Sequence, residues 1–96
     1  ALIEARKIGW GASGRNGGQL GGGLRKDQKE VENKLGINQA KELWNLGIEA
    51  VEEVKENIKK YNIDCDLVNG VLTAGYYKDD ESYFKNEAEH LLKQYN

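Results

Sequence analysis

The sequence predicts an α/β chain, mostly helical with a short hairpin, and three observations carry that expectation. Ala1, Leu2, Ile3 and Glu4 form an apolar start that closes on an acid, as a buried parallel strand does at the ligand-binding edge of a sheet. Two stretches beyond residue 37 repeat apolar residues at spacings of three and four, the period of an amphipathic helix. Between them, Asn69 and Gly70 separate two short β-prone runs, the commonest two-residue hairpin signal.

Residues 1–8 are read as the end of a strand and the turn after it. Residues 9–24 begin with GWGASGRNGGQLGGG, which holds eight of the twelve glycines and suits neither a helix nor a strand interior. This segment is expected to be a loop of special backbone shape. From Arg25 to Leu35 the chain is charged, with Leu24, Val31 and Leu35 near helical spacing and Gly36 as a stop, so a short helix is expected.

Asn38 is the expected cap of a longer helix whose apolar face runs through Ala40, Leu43, Trp44, Gly47, Ile48, Val51, Val54, Ile58 and Tyr61. Its other face is charged, with Glu56 and Lys60 as a favourable i,i+4 pair, and reads as solvated surface. Residues 63–68 and 71–77 are the hairpin strands. Asp79 or Asp80 then caps a last helix with Phe84, Ala88, Leu91, Leu92 and Tyr95 on one face. That helix is still running at Asn96, and both ends are expected to be cut through structure.

Composition narrows the function. Fourteen basic against sixteen acidic side chains give a net charge of -2, which supplies no field for nucleic acid or an anionic membrane. No apolar run approaches the roughly 18 residues of a spanning helix, and no signal-peptide pattern is seen, so a cytoplasmic location is expected. Cys65 is the single cysteine, which excludes an internal disulfide and a thiolate cluster; no metal site is expected, and the thiol reads as structural. His90, also alone, reads as a surface or partly buried imidazole rather than a base. No catalytic residue is assigned.

The glycine-rich segment carries the chemistry. Gly9, Gly11 and Gly14 spell G-x-G-x-x-G, the first phosphate turn of a dinucleotide fold, but that turn must open a helix. Here Gly17, Gly18 and residues 21–23 follow, and each glycine costs a helix about 1 kcal/mol relative to alanine. The first-turn reading is therefore rejected. Composition alone also allows a plain flexible loop, whereas an arginine and glycine tail for RNA is disfavoured by the acidic balance. The remaining reading is a second loop wrapping an extended cofactor: glycines permit close main-chain approach, Ser13, Arg15 and Asn16 supply donors, and Arg15 pairs with phosphate. Glu4 then stands where a carboxylate accepts from ribose hydroxyls.

The string IEARKIGWGASGRNGGQL resembles the segment after the first βαβ unit in the FAD-dependent D-amino-acid oxidase and glycine oxidase superfamily. Within it, the gamma-glutamylputrescine oxidoreductase branch is most similar, sharing an acid and alanine at the strand end, a basic residue, and then Gly-x-Gly-Ala-Ser-Gly-Arg-Asn-Gly-Gly. The resemblance implies a partial Rossmann-like FAD-binding domain, with Glu4 and Ala5 at the adenosine ribose and Arg6 near the adenosine half. It implies further that Ala12, Ser13 and Arg15 lie along the pyrophosphate, and that Asn16, Gly17, Gly18 and Gln19 approach the ribityl chain and flavin. For Gly9, Trp10 and Gly11 it implies only a part in shaping the loop. The activity implied is oxidation of a small amine or amino acid by hydride transfer to flavin, in a protein much longer than this chain, the chain itself being inactive as an isolated piece. The competing reading is a non-enzymatic helical interaction module with a flexible glycine-rich arm, in which Trp44 and Phe84 anchor a partner.

Overall fold

The computed structural model describes Ala1 and residues 3–95. Three α-helices carry the structure: α1 (Gln28–Leu35), α2 (Ile37–Lys60) and α3 (Asp80–Tyr95), preceded by a single 3-10 turn at Ala12–Gly14. Leu2 and Asn96, on which parts of the strand-end and chain-end expectations fell, lie outside the described residues.

The α1 helix begins where Asp27 accepts the Lys29 N–H at 2.8 Å, satisfying one of the donors that a helix start leaves without an intrahelical partner. It is three residues shorter than the periodicity suggested, because Asp27 caps more effectively than Arg25 begins. Gly36 both ends α1 and opens α2. Its N–H bonds to the Glu32 carbonyl at 2.8 Å and its own carbonyl accepts from Ala40 at 3.0 Å, with φ at +81°, a conformation open to glycine. Asn38 is therefore not the cap of α2; it sits inside the first turn, displaced from that role by Gly36. The surface pair on α2 also differs, since Lys55 bonds Glu52 at 2.7 Å and Glu56 makes no ion pair with Lys60.

The α1–α2 corner holds the core. Val31 and Ala40 are buried, and Leu43 and Trp44 continue that face half-buried. The α3 helix joins them through side chains: the Tyr95 and Trp44 rings lie 4.9 Å apart, and Tyr83 donates its phenol to Asp27 at 2.9 Å. Its entry is fixed by Asp80, whose Oδ2 accepts the Tyr76 and Tyr77 N–H groups at 2.7 and 2.8 Å. Those two bonds hold its carboxyl below the usual value.

The hairpin does not form. Among the described residues there is no strand, at 63–77 or at 1–8. Gly70 has a left-handed φ of +99° but no turn closes there, and Val68, Val71 and Leu72 stand 81%, 67% and 96% exposed. A two-stranded ribbon is marginal in water without a surface to bury one face, and the strand-like runs here have none against them. The same holds for the apolar start, where Ile3 is 89% exposed.

Candidate functional site

The glycine-rich loop folds on itself before it meets the helices. Trp10 donates its N–H to the Lys7 carbonyl at 3.0 Å, and Arg15 closes the 3-10 turn by donating to Ala12 at 3.1 Å. Gly9 has φ at +72°, and a β-carbon on Gly14 would lie 2.0 Å from the Gly9 carbonyl oxygen, so the two glycines permit a backbone contact closed to any side chain. Asn16 braces the exit from this turn. Its amide donates to the Ala12 and Ser13 carbonyls at 3.1 and 2.9 Å, and its Oδ1 accepts the Gly18 N–H at 2.8 Å. The Asn16 side chain thus has its amide and its carbonyl turned toward the loop's own backbone.

The two arginines behave differently. Arg15 donates Nε to the Trp10 carbonyl at 2.8 Å and sets its guanidinium 4.6 Å from the Trp10 ring centre. Arg6 places its guanidinium 4.2 Å from the same ring. Both cations therefore gather on one indole, no more than about 9 Å apart by the sum of those distances. At that separation their repulsion in water is about 0.5 kcal/mol, and each cation–π contact at an exposed site returns about 0.5–1 kcal/mol. Neither arginine enters an ion pair among the described residues. Glu4 lies beside them in sequence but is not bonded to their charges: its Oε1 accepts the Arg6 backbone N–H at 2.9 Å.

Downstream, the loop lies on α2. A β-carbon on Gly47 would come within 1.9 Å of the Gly22 carbonyl oxygen, so glycine in mid-helix is the contact point that lets loop and helix touch backbone to backbone. Beside that contact, Asn16, Gly18 and Gln19 face Val51, Val54 and Ile58 of α2 and residues 65–72 across a groove of about 820 Å³.

The expected site residues thus divide into two neighbourhoods. Arg6 and Arg15 meet at Trp10, while Asn16, Gly18 and Gln19 line the groove. Ala5, Ser13 and Gly17 are exposed, and Ala12 and Ser13 contribute carbonyls to the Asn16 brace. Trp10 is the residue that sequence reasoning undervalued; the signal was an aromatic ring flanked by arginines four residues before and five after. The Gly22–Gly47 contact had no local signal at all.

A loop with a carboxylate, two cations free of ion pairs and a left-handed glycine, Gly18 at φ +69°, fits an elongated anionic cofactor bearing ribose hydroxyls and phosphates. The comparison with known proteins agrees. Residues 1–96, all of the chain, match the family described as FAD dependent oxidoreductase. The chain belongs to that family. It is 44% identical over 71 residues to gamma-glutamylputrescine oxidoreductase of Escherichia coli, covering 74% of this chain and 17% of that protein. To the probable oxidoreductase OrdL of Haemophilus influenzae it is 38% identical over 72 residues, 75% of this chain and 17% of the relative. The OrdL of Rhizobium meliloti is 35% identical over 94 residues, 98% of this chain and 22% of its own length. The chain therefore spans about a fifth of the curated relatives it matches, and no solved structure is a significant match. Among the described residues, no helix is long and apolar enough to cross a membrane, and no three His, Cys, Asp or Glu side chains group as metal ligands.

Proposed function

We propose that this segment forms one wall of the FAD site of a cytoplasmic oxidoreductase that oxidises a small amine or amino acid. The observation that carries the reading is the braced loop at residues 4–19, which presents Arg6 and Arg15 beside an exposed carboxylate and a glycine-rich backbone. When bound, FAD supplies the hydride acceptor; the chain's part is to hold it. In that role Arg15 meets phosphate charge, Arg6 lies at the adenosine half, and Glu4, with Oε1 engaged by backbone, offers Oε2 to ribose hydroxyls. Ala5 lies at the ribose, Ala12 and Ser13 lie along the pyrophosphate, and Gly17, Gly18 and Gln19 approach the ribityl chain and flavin. Asn16 contributes by fixing the loop, so that cofactor donors at 16–18 come from the backbone.

The full-length protein carrying this segment is expected to purify yellow, with the visible absorbance of bound flavin. A colourless preparation that takes up no added FAD would overturn the reading. Glu4→Ala should weaken FAD retention roughly 10-fold or more while leaving substrate affinity at saturating FAD close to wild type. The amine substrate is supported by the name of the Escherichia coli relative. Oxidation of amines and amino acids, followed by hydrogen peroxide release or by reduction of a dye, tests it directly. The 96-residue segment by itself is proposed to be inactive. A helical interaction module finds no support beside the family membership.

A further inference from the structure

We propose that Trp10 is a positioning residue for FAD: its indole ring gathers the Arg6 and Arg15 guanidiniums into one dicationic cradle for the adenosine diphosphate half of the cofactor. This inference rests on the reading of the loop as an FAD site and adds to it a residue that touches no cofactor atom in its proposed role.

Three observations converge on Trp10. Both guanidiniums lie against its ring, at 4.2 and 4.6 Å. Its carbonyl accepts the Arg15 Nε at 2.8 Å, so one donor of that guanidinium is committed to the backbone and the terminal nitrogens are directed away from it. Its N–H is tied to Lys7 at 3.0 Å, which fixes the ring's own attachment to the turn. Trp10 is 46% exposed, too open for a core residue, and its partners are the two arginines.

The physical gain is preorganisation. Two long cationic side chains on a glycine-rich loop would otherwise separate, since like charges repel and each chain has many rotamers. Stacking on one π-face system opposes the repulsion and reduces the rotamers lost when a doubly charged group binds. Indole is the best of the aromatic side chains at this, so phenylalanine should retain part of the effect and leucine none.

The test is a titration of FAD into the full-length apoprotein carrying this segment, read by the change in flavin fluorescence. Trp10→Leu should weaken FAD roughly 5- to 30-fold, the loss of two cation–π contacts, and Trp10→Phe should recover part of it. Trp10→Gln serves the same purpose as the leucine variant should that one fail to fold. In the Arg6→Gln/Arg15→Gln background, removing the ring should cost no further affinity, because no cation is left to position. Unchanged affinity in Trp10→Leu, equal losses in the leucine and phenylalanine variants, or losses that add to those of the arginines would each overturn the proposal. If Glu4→Ala and Arg15→Gln also left FAD binding intact, the FAD-site reading itself would fall; a loss in those two alone would remove only Trp10's role.

Discussion

Gly47 shows how far one residue's meaning depends on what passes it. In an isolated helix, Gly→Ala gains about 1 kcal/mol. Here the added carbon would meet the Gly22 carbonyl oxygen at 1.9 Å, a backbone atom that cannot rotate aside. Gly47→Ala is therefore expected to destabilise the full-length protein by about 1–3 kcal/mol, the cost of overpacking, and to loosen FAD by shifting the loop. Urea unfolding measures the first and flavin release the second; a stabilised variant would show that Gly22 does not lie on α2. Gly22→Ala should be milder, since its nearest contact would be 3.0 Å.

At the scale of elements, α3 is held to α1 by a small polar network. Glu32 Oε1 accepts the Tyr95 phenol at 2.6 Å and bonds His90 Nε2 at 2.8 Å, while Gln28 donates to the Tyr95 oxygen at 2.9 Å. Burial pushes the Glu32 carboxyl up, but the bonds from Tyr95 and His90 outweigh it and hold it below its ordinary 4.5. Asp27 is lowered as well, by the Lys29 N–H first and the Tyr83 phenol second. A carboxyl whose folded value lies below its unfolded one stabilises the fold above the unfolded value and loses that contribution as pH falls through the folded one. Docking of α3 should therefore weaken progressively below about pH 4.5, and Glu32→Gln should flatten that dependence. Tyr95 is raised, by burial and then by Glu32, so its phenol stays protonated and bonded through neutral pH. Tyr95→Phe keeps the Trp44 contact and loses both hydrogen bonds, at a cost of about 1–2 kcal/mol; pH-dependent urea melts of the three proteins separate the terms. The helices were legible because period and stop residues are local: Gly36 ended α1 where expected, and α2 and α3 run where Leu43 to Ile58 and Phe84 to Leu92 repeat. The hairpin was not, since Asn69-Gly70 specifies a turn while strand pairing needs a surface for Leu67 to Leu72 to cover. The network was equally hidden, because Glu32 and His90 are 58 residues apart and each alone reads as ordinary surface. Of the candidate site, the irregular shape of the loop was legible from its glycine density, but the gathering of Arg6 and Arg15 on Trp10 required the turn's three-dimensional path.

The whole molecule sets the last expectation. A compact 10.8 kDa protein exposes roughly 5,500 Å², and 96 residues pack to a radius of gyration of about 12–13 Å; this chain exposes 8913 Å² with a radius of 17.0 Å. Val31 and Ala40 are the buried apolar side chains among the described residues, and a core of that size cannot offset the entropy of ordering the chain. Apolar surface that should drive folding is left open along residues 63–77 and on α2, where Leu46 and Ile48 are 59% and 48% exposed. The glycine-rich loop sits at that open side, for the groove beneath Asn16 and Gln19 is walled by residues 65–72. On the proposed reading of the loop as an FAD wall, covering the apolar surface of residues 65–72 and completing the cofactor site would be one event. The 96-residue segment expressed alone should show helical far-ultraviolet dichroism from α2 but a broad, weakly cooperative urea transition, and adding FAD should not sharpen it. In the full-length protein the same residues should unfold in a steep transition that FAD moves to higher urea. A steep, FAD-shifted transition in the segment alone would mean that these 96 residues close their own core and bind the cofactor unaided, contrary to the exposure of residues 63–77.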